Sequence, residues 1–166
     1  MIELLDYRLN KKQLLIPGKS VTEELRNSDE FLANLGKMKK ILALDGVGLA
    51  ATQVNWSIQL FMLCIDKDDN RIEPEIFINS RIINYSKKQV KEEEGCLSFA
   101  GLYIKISRPE TVTWSYETFD GDSHEIISSG FYARAIQHEI DHLQGNVFIQ
   151  RASPAQRLKV KKWLKS

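Results

Sequence analysis

Phe131-Tyr132-Ala133-Arg134-Ala135-Ile136-Gln137-His138-Glu139-Ile140-Asp141-His142-Leu143 reads as one helix, and its core, His138 to His142, decides the kind of fold built around it. Histidines at i and i+4 differ by only about 40° around a helix, so both imidazoles leave from one face and can share an ion. Glu139 stands beside them, able to reach a water held by that ion and act as general base. Two solvated surface histidines would give the same letters. Here Ala133, Ala135, Ile136, Ile140 and Leu143 surround the motif with apolar residues, which favours a metal-binding helix.

A catalytic metal site normally takes three protein ligands and leaves one position open. The extended zinc-protease pattern would place a third histidine at position 148, which is Phe148, although Gly145 fits that pattern. The other common solution, a downstream Glu, is also closed, because Leu143 to Ser166 contains no Asp, Glu, His or Cys. The third ligand therefore lies upstream, among His124, Cys64, Cys96 and the carboxylates. Cys64 sits in a run that reads as a buried strand, where a small apolar cysteine is ordinary. His124 follows a hairpin turn and is expected to be exposed. Cys96 stands in Glu93-Glu94-Gly95-Cys96-Leu97-Ser98, where Gly95 permits an unusual backbone path. Cys96 is the ligand of choice.

Outward from the helix, the apolar stripe Phe31, Leu35, Met38 and Leu42 predicts a second long helix over Asp29–Asp45, with Ser28 as N-cap and Gly46 as its stop. Gly46 to Gln53, GVGLAATQ, is too glycine-rich and small for an ordinary core helix. Strands are predicted at Leu60–Ile65 (buried), Ile76–Ile78, Ile82–Tyr85, Leu102–Ile106 and Val112–Thr118. Asp120-Gly121 is a hairpin signal that returns the chain through His124–Ile127. Ser153-Pro154 reads as N-cap and N1 of a short terminal helix. Strands followed by helices without regular alternation predict an α+β fold, and no linker divides residues 1–166, so a single domain is expected.

The 166 residues are 43% hydrophobic and 27% charged, ordinary globular values that allow a full core. A formal net charge of +1 gives no general attraction to DNA or to an anionic membrane. The longest strongly apolar run, Leu60 to Ile65, is far too short to cross a bilayer, and Met1 to Pro17 carries no signal-peptide core. Two cysteines make no disulfide framework, so a reducing, cytoplasmic setting is expected.

Three stretches together, Gly46-Val47-Gly48-Leu49-Ala50-Ala51-Thr52-Gln53, Glu94-Gly95-Cys96-Leu97-Ser98 and Gln137-His138-Glu139-Ile140-Asp141-His142-Leu143, resemble the three motifs of the peptide deformylases, in the family's order. The resemblance implies antiparallel sheets packed around a central metal-binding helix. It implies one divalent ion on Cys96, His138 and His142, Fe(II) in the cell, with Zn, Ni or Co able to replace it. It further implies hydrolysis of the N-formyl group of N-formylmethionyl nascent peptides. In that chemistry Glu139 takes a proton from the attacking water and returns it to the leaving amine. The Gln53 side-chain amide and the Leu97 backbone N–H are implied as oxyanion donors. Peptide backbone would bond along Val47 and Gly48. A methionine pocket would be lined by Val47, Phe131, Ala135 and His138, with Arg134 at its margin. Glu94 and Arg108 are expected to brace the cysteine loop as an ion pair beyond the ligands.

The chain departs from the family pattern in places. Phe99-Ala100-Gly101 stands where an apolar residue, proline and glycine are common, and Tyr103 stands where an arginine often holds the peptide. Tyr7 to Ser20 matches poorly. The tail, Arg151 to Ser166, is short and carries six basic and no acidic residues, with Val160, Trp163 and Leu164 as an apolar stripe. A weak ribosome contact through this basic helix is one expectation, and a solvated helix packed through Trp163 is the other. Two other functions compete: a zincin-like metallopeptidase, disfavoured by the missing downstream ligand, and an inactive metal-binding protein, disfavoured because Glu139, Gln53 and the ligands are all retained. A bacterial cytoplasm, a phage-infected cell or a processed organellar form would suit the chain.

Overall fold

The computed structural model describes residues 2–65 and 73–165. Asp6 caps the first helix, α1 (Tyr7–Leu14), by accepting from Arg8 N. A single turn, α2 (Glu23–Arg26), follows. Then α3 (Asp29–Asp45) begins at Ser28, whose side chain accepts from Phe31 N, and stops at Gly46. These are the predicted bounds and caps. GVGLAATQ resolves into a short edge strand, β1 (Gly48–Ala50), and a 3-10 turn over Ala51–Val54.

Strand β2 (Leu60–Leu63) is buried along its whole length. Its alternate side chains enter different cores, since Leu60 and Met62 pack with Phe31, Leu35, Met38 and Leu42 of α3. Phe61 and Leu63 point the other way, toward Phe77 and Trp114. A strand covered on both faces has no reason to alternate polar and apolar residues, which explains its continuous apolar run.

The predicted strands Ile76–Ile78 and Ile82–Tyr85 are one strand, β3 (Glu75–Tyr85). The polar letters between them are a bulge, where the register shifts and Asn79 takes φ 50°. Its side chain bonds both Val21 N and Val21 O, at 2.8 and 3.0 Å, so the irregularity is held in place.

Strand β4 (Gln89–Glu94) had no apolar pattern to announce it, because only its last residue, Glu94, is buried. It pairs with β5 (Ile104–Pro109), which begins two residues later than predicted and extends through Arg108. Strands β6 (Thr111–Glu117) and β7 (Ser123–Ser129) form the predicted hairpin, with Gly121 at φ 96° in its turn. The long sheet runs β1-β2-β3-β6-β7, every pair antiparallel.

Helix α4 (Gly130–Leu143) packs Ala133, Ile136, Ile140 and Leu143 on the sheet face opposite α3. Its other side reaches the β4–β5 ribbon, where Gln137 donates to Pro109 O at 3.0 Å. After a 3-10 turn over Phe148–Arg151, the chain ends in α5 (Pro154–Trp163), which has Pro at its first turn as expected. A third apolar group unites Leu5, Tyr7 and Leu14 with Phe99, Ile104, Ile106, Phe148 and Val160. This is an α+β fold with α4 at its centre. No helix among the described residues is long and apolar enough to cross a membrane.

Candidate metal centre

Helix α4 carries His138 and His142 on one side, their ring centroids 5.0 Å apart. Cys96 comes from the loop that follows β4, and one donor atom from each of the three residues lies within 4.8 Å of the others. Cys96 Sγ is 3.3 Å from His142 Nε2. The loop reaches this position because residue 95 has no side chain: a Cβ there would meet the Tyr103 ring at 2.5 Å. His124 stacks on Tyr116 at the exposed end of β7, and Cys64 follows β2, so neither joins the cluster.

A thiol and two imidazoles that converge in this way fit a divalent ion of borderline softness. His142 Nδ1 is buried with no hydrogen-bond partner among the described residues, and Nε2 faces the sulfur.

His138 is oriented from behind. Its Nδ1 lies 3.1 Å from Glu94 Oε2, which fixes Nε2 as the nitrogen facing the cluster. Glu94 is itself fully engaged. Arg108 donates to both its oxygens at 2.7 and 3.0 Å, and Arg134 adds a bond to Oε1 at 2.5 Å. Arg108 also bonds Asp141 at 2.8 Å, and Asp141 accepts twice from Arg151. Glu94 and Arg108 form a buried pair, 7% and 1% exposed. Burial would push the Glu94 carboxyl up, but His138 and Arg108 outweigh it and hold the group well below the usual carboxylate range. Burial likewise works against charge on His138, yet Cys96, Glu94 and Glu139 hold its pKa up at about 10. Binding a metal must therefore release a proton from this site.

Glu139 is 4% exposed, and burial pushes its pKa up to about 7. Its Oε2 has no hydrogen-bond partner among the described residues, and a Cβ on Gly48 would collide with its Oε1. Gln53 is held by its ends. Its Oε1 accepts from Ala50 N at 2.9 Å, so Nε2 is turned toward Cys96 Sγ and Ser98 Oγ, at 3.3 and 3.2 Å. Leu97 opens the 3-10 turn Leu97–Phe99, so its N–H takes no part in that turn.

These groups border a cavity of about 460 Å³. Val47, Gly48, Phe131, Arg134 and Ala135 all line it, as do Gln53, Cys96, Leu97, His138 and Glu139. Phe131 is 56% exposed and so belongs to the cavity mouth rather than the core. Arg134 lines the wall with four of its five N–H donors engaged by Glu92, Glu94, Val90 O and Ile106 O. Sequence reasoning missed Asp141 and Arg151. The signal for Asp141 was present, an acid between two ligands on the same helix, whereas nothing near Arg151 marked it.

The chain matches the family model described as polypeptide deformylase over residues 7–158. It is 38% identical over 160 residues to "Peptide deformylase 2" of Nitrosomonas europaea, covering 96% of this chain and 81% of that one. It is 37% identical over 147 residues to a peptide deformylase of Thermosynechococcus vestitus, covering 87% and 76%. A crystal structure of a peptide deformylase from Synechococcus elongatus in complex with actinonin superposes with TM-score 0.87 at 33% identity, covering 99% and 86%. A peptide deformylase from Plasmodium falciparum superposes with TM-score 0.89 at 33% identity, covering 98% and 93%.

Proposed function

This chain belongs to the polypeptide deformylase family, and from that premise we propose how its own residues release formate from N-formyl peptides. The enzyme hydrolyses the N-formyl group of formyl-Met peptides, leaving a free N-terminal methionine. One observation carries the assignment of roles: the Cys96, His138 and His142 donors converge within 4.8 Å, and Cys96 and His138 line the same cavity as Glu139 and Gln53. Nothing in the comparisons favours a zincin-like peptidase.

Cys96, His138 and His142 would hold a divalent ion, which would supply Lewis-acid polarisation of the formyl group and a more acidic water. Glu139 accepts the proton of the attacking water and later delivers it to the departing α-amine, a role supported by its unpartnered oxygen and its cover by Gly48. Gln53 Nε2 and Leu97 N–H stabilise the negative charge that develops on the formyl oxygen. The bond from Ala50 N supports this role for Gln53, because it fixes the donor end of the amide toward the site before substrate arrives. Glu94 and Arg108 hold His138 in the orientation that leaves Nε2 for the ion.

Val47 and Gly48 sit on or beside edge strand β1, where an extended peptide can add its backbone bonds. The methionine side chain then fills the space beside Val47, Phe131 and Ala135, with Arg134 at its margin. Fe(II) is the working ion in the cell by family resemblance, and the same donors accept Zn, Ni or Co. Residues 1–166 act as one catalytic unit. Nascent peptides as substrates favour a bacterial or phage-infected cytoplasm, with a processed organellar form also compatible, and exposed Arg157, Lys159, Lys161 and Lys162 on α5 favour a weak, salt-sensitive ribosome contact.

The test is anaerobic purification with Fe(II), followed by assay on formyl-Met-Ala-Ser for both formate and free amine. Formate and amine in equal amounts are expected. Peptide fragments without formate would replace this reading with a peptidase, and no turnover with any metal would replace it with a binding protein. Metal content of the isolated protein decides the ion, and ribosome co-sedimentation unchanged by deleting residues 154–166 would remove the docking idea.

A further inference from the structure

We propose that Trp163, on the terminal helix, is a positioning residue for the loop Cys96 to Gly101. This loop supplies both the sulfur ligand and the Leu97 N–H. On its inner side the loop is tied by Gln53 Nε2 to Cys96 Sγ and Ser98 Oγ. Among the described residues the backbone bonds of the loop are local, Phe99 N to Cys96 O at 2.8 Å and Leu102 N to Phe99 O at 2.9 Å. Ala100 is exposed, and Gly101 after it takes φ 76°, so the outer bend has little intrinsic stiffness.

Trp163 supplies what the bend lacks. Its indole N–H donates to Ala100 O at 2.9 Å, and its ring lies 5.5 Å from that of Phe99. Phe99 is buried, stacked on Tyr7 at 4.5 Å and edge-on to Phe148 at 5.1 Å. Arg8 covers the indole from α1, 4.8 Å from the ring centroid, and buried Val160 anchors α5 one turn earlier. Two helices remote from the metal ligands thus close on one peptide carbonyl. Only three residues separate that carbonyl from Cys96, and Ala100 and Gly101 themselves line the cavity. Slack at Ala100 is therefore passed to the Leu97 N–H and to Sγ rather than absorbed on the way.

The turnover arm of the test rests on the deformylase reading, whereas the metal arm does not. Trp163→Phe keeps a ring against Phe99 and removes the N–H, and Trp163→Leu removes both. Each is loaded with Ni(II), and kcat and KM for formyl-Met-Ala-Ser are measured beside the Ni(II) dissociation constant from chelator competition. The loss of one hydrogen bond should lower kcat about 3- to 10-fold in Trp163→Phe. KM should stay within about 2-fold, because a misplaced oxyanion donor is felt mainly in the transition state. Ni(II) binding should weaken in step, and Trp163→Leu should exceed both effects.

A double-mutant cycle with Ala100→Pro separates positioning from general support of the tail. Ala100 already has φ −48°, near the value of about −65° that proline imposes. On that background Trp163→Phe should cost less than about 2-fold, since the ring of proline stiffens the same bend. Wild-type kcat and Ni(II) affinity in both Trp163 variants, with only a lower melting temperature, would overturn the proposal. So would a Trp163→Phe loss that Ala100→Pro leaves undiminished. If the unsubstituted chain released no formate, the deformylase reading would fail, and the Ni(II) affinities would still decide the role of Trp163.

Discussion

His138 Nδ1 lies 3.1 Å from Glu94 Oε2, and that contact ties a ligand to a carboxylate already gripped by Arg108 and Arg134. Glu94→Gln keeps the shape but leaves one acceptor oxygen for four donors. Metal affinity should fall about 10- to 100-fold, the usual cost of losing a partner behind a ligand. Arg108 would keep Asp141, so the metal-free protein should lose roughly 3 kcal/mol rather than collapse. Chelator competition and urea unfolding of the metal-free form check the two numbers. Unchanged metal affinity would mean the brace is not transmitted to His138.

Glu139 and Cys96 should fail in different ways. Glu139→Gln retains the bulk of a side chain that is packed against Gly48, so one equivalent of metal should remain. Turnover should fall by about 10²- to 10⁴-fold, the range for loss of a positioned acid–base group. Cys96→Ala should instead lose the ion, leaving two imidazoles. Metal analysis alongside formate release separates these outcomes, and full metal occupancy in Cys96→Ala would show that the third ligand is another residue.

Much of this was legible in the letters because the physics involved is local. The His138/His142 spacing is a property of any helix, and the Ser28 cap and Gly46 stop are decided within one turn. The apolar run at Leu60 read as a buried strand over Leu60–Ile65; the fold covers both its faces but ends it at Leu63. What was hidden depends on partners far along the chain. Strand β4 buries one residue, Glu94, and its identity as a strand rests on pairing with β5. Asn79 looked like a strand end because its αL conformation is stabilised by Val21, 58 residues away. Arg151 lies in a tail that reads as merely basic, and only the fold brings it to Asp141.

Asp141 gives a pH dependence. Burial alone would push its carboxyl up, but bonds from Arg151 and the charge of Arg108 outweigh it and hold the group below its ordinary value. A carboxyl with a depressed folded pKa contributes its full stability above the unfolded value of about 3.9, and loses it as pH falls through the folded value. The stability difference between the metal-free parent and Asp141→Asn should therefore be constant above about pH 5 and shrink below about pH 4. Urea midpoints from pH 7 downward measure it. A difference that does not change with pH would show that Asp141 acts through shape alone.

Gly48 is the most economical probe of how Glu139 is held. A methyl group there would fall on Glu139 Oε1 and lie 2.9 Å from Leu63 Cδ2. The strand backbone at Gly48 accepts alanine, so any effect of Gly48→Ala is steric. Helix α4 is packed on the sheet by Ile136 and Ile140 and cannot retreat without opening the core. The carboxylate must rotate instead, and a displaced base should lower kcat roughly 10²-fold. Overpacking should destabilise the protein by about 1–3 kcal/mol. Gly36→Ala provides the comparison, since nothing lies within 4 Å of a Cβ in that helix. It should raise stability by about 0.5–1 kcal/mol and leave kcat alone. A Gly48→Ala enzyme with parental kcat would show that Glu139 has a second productive position, and its contact with Gly48 would then carry no mechanistic weight.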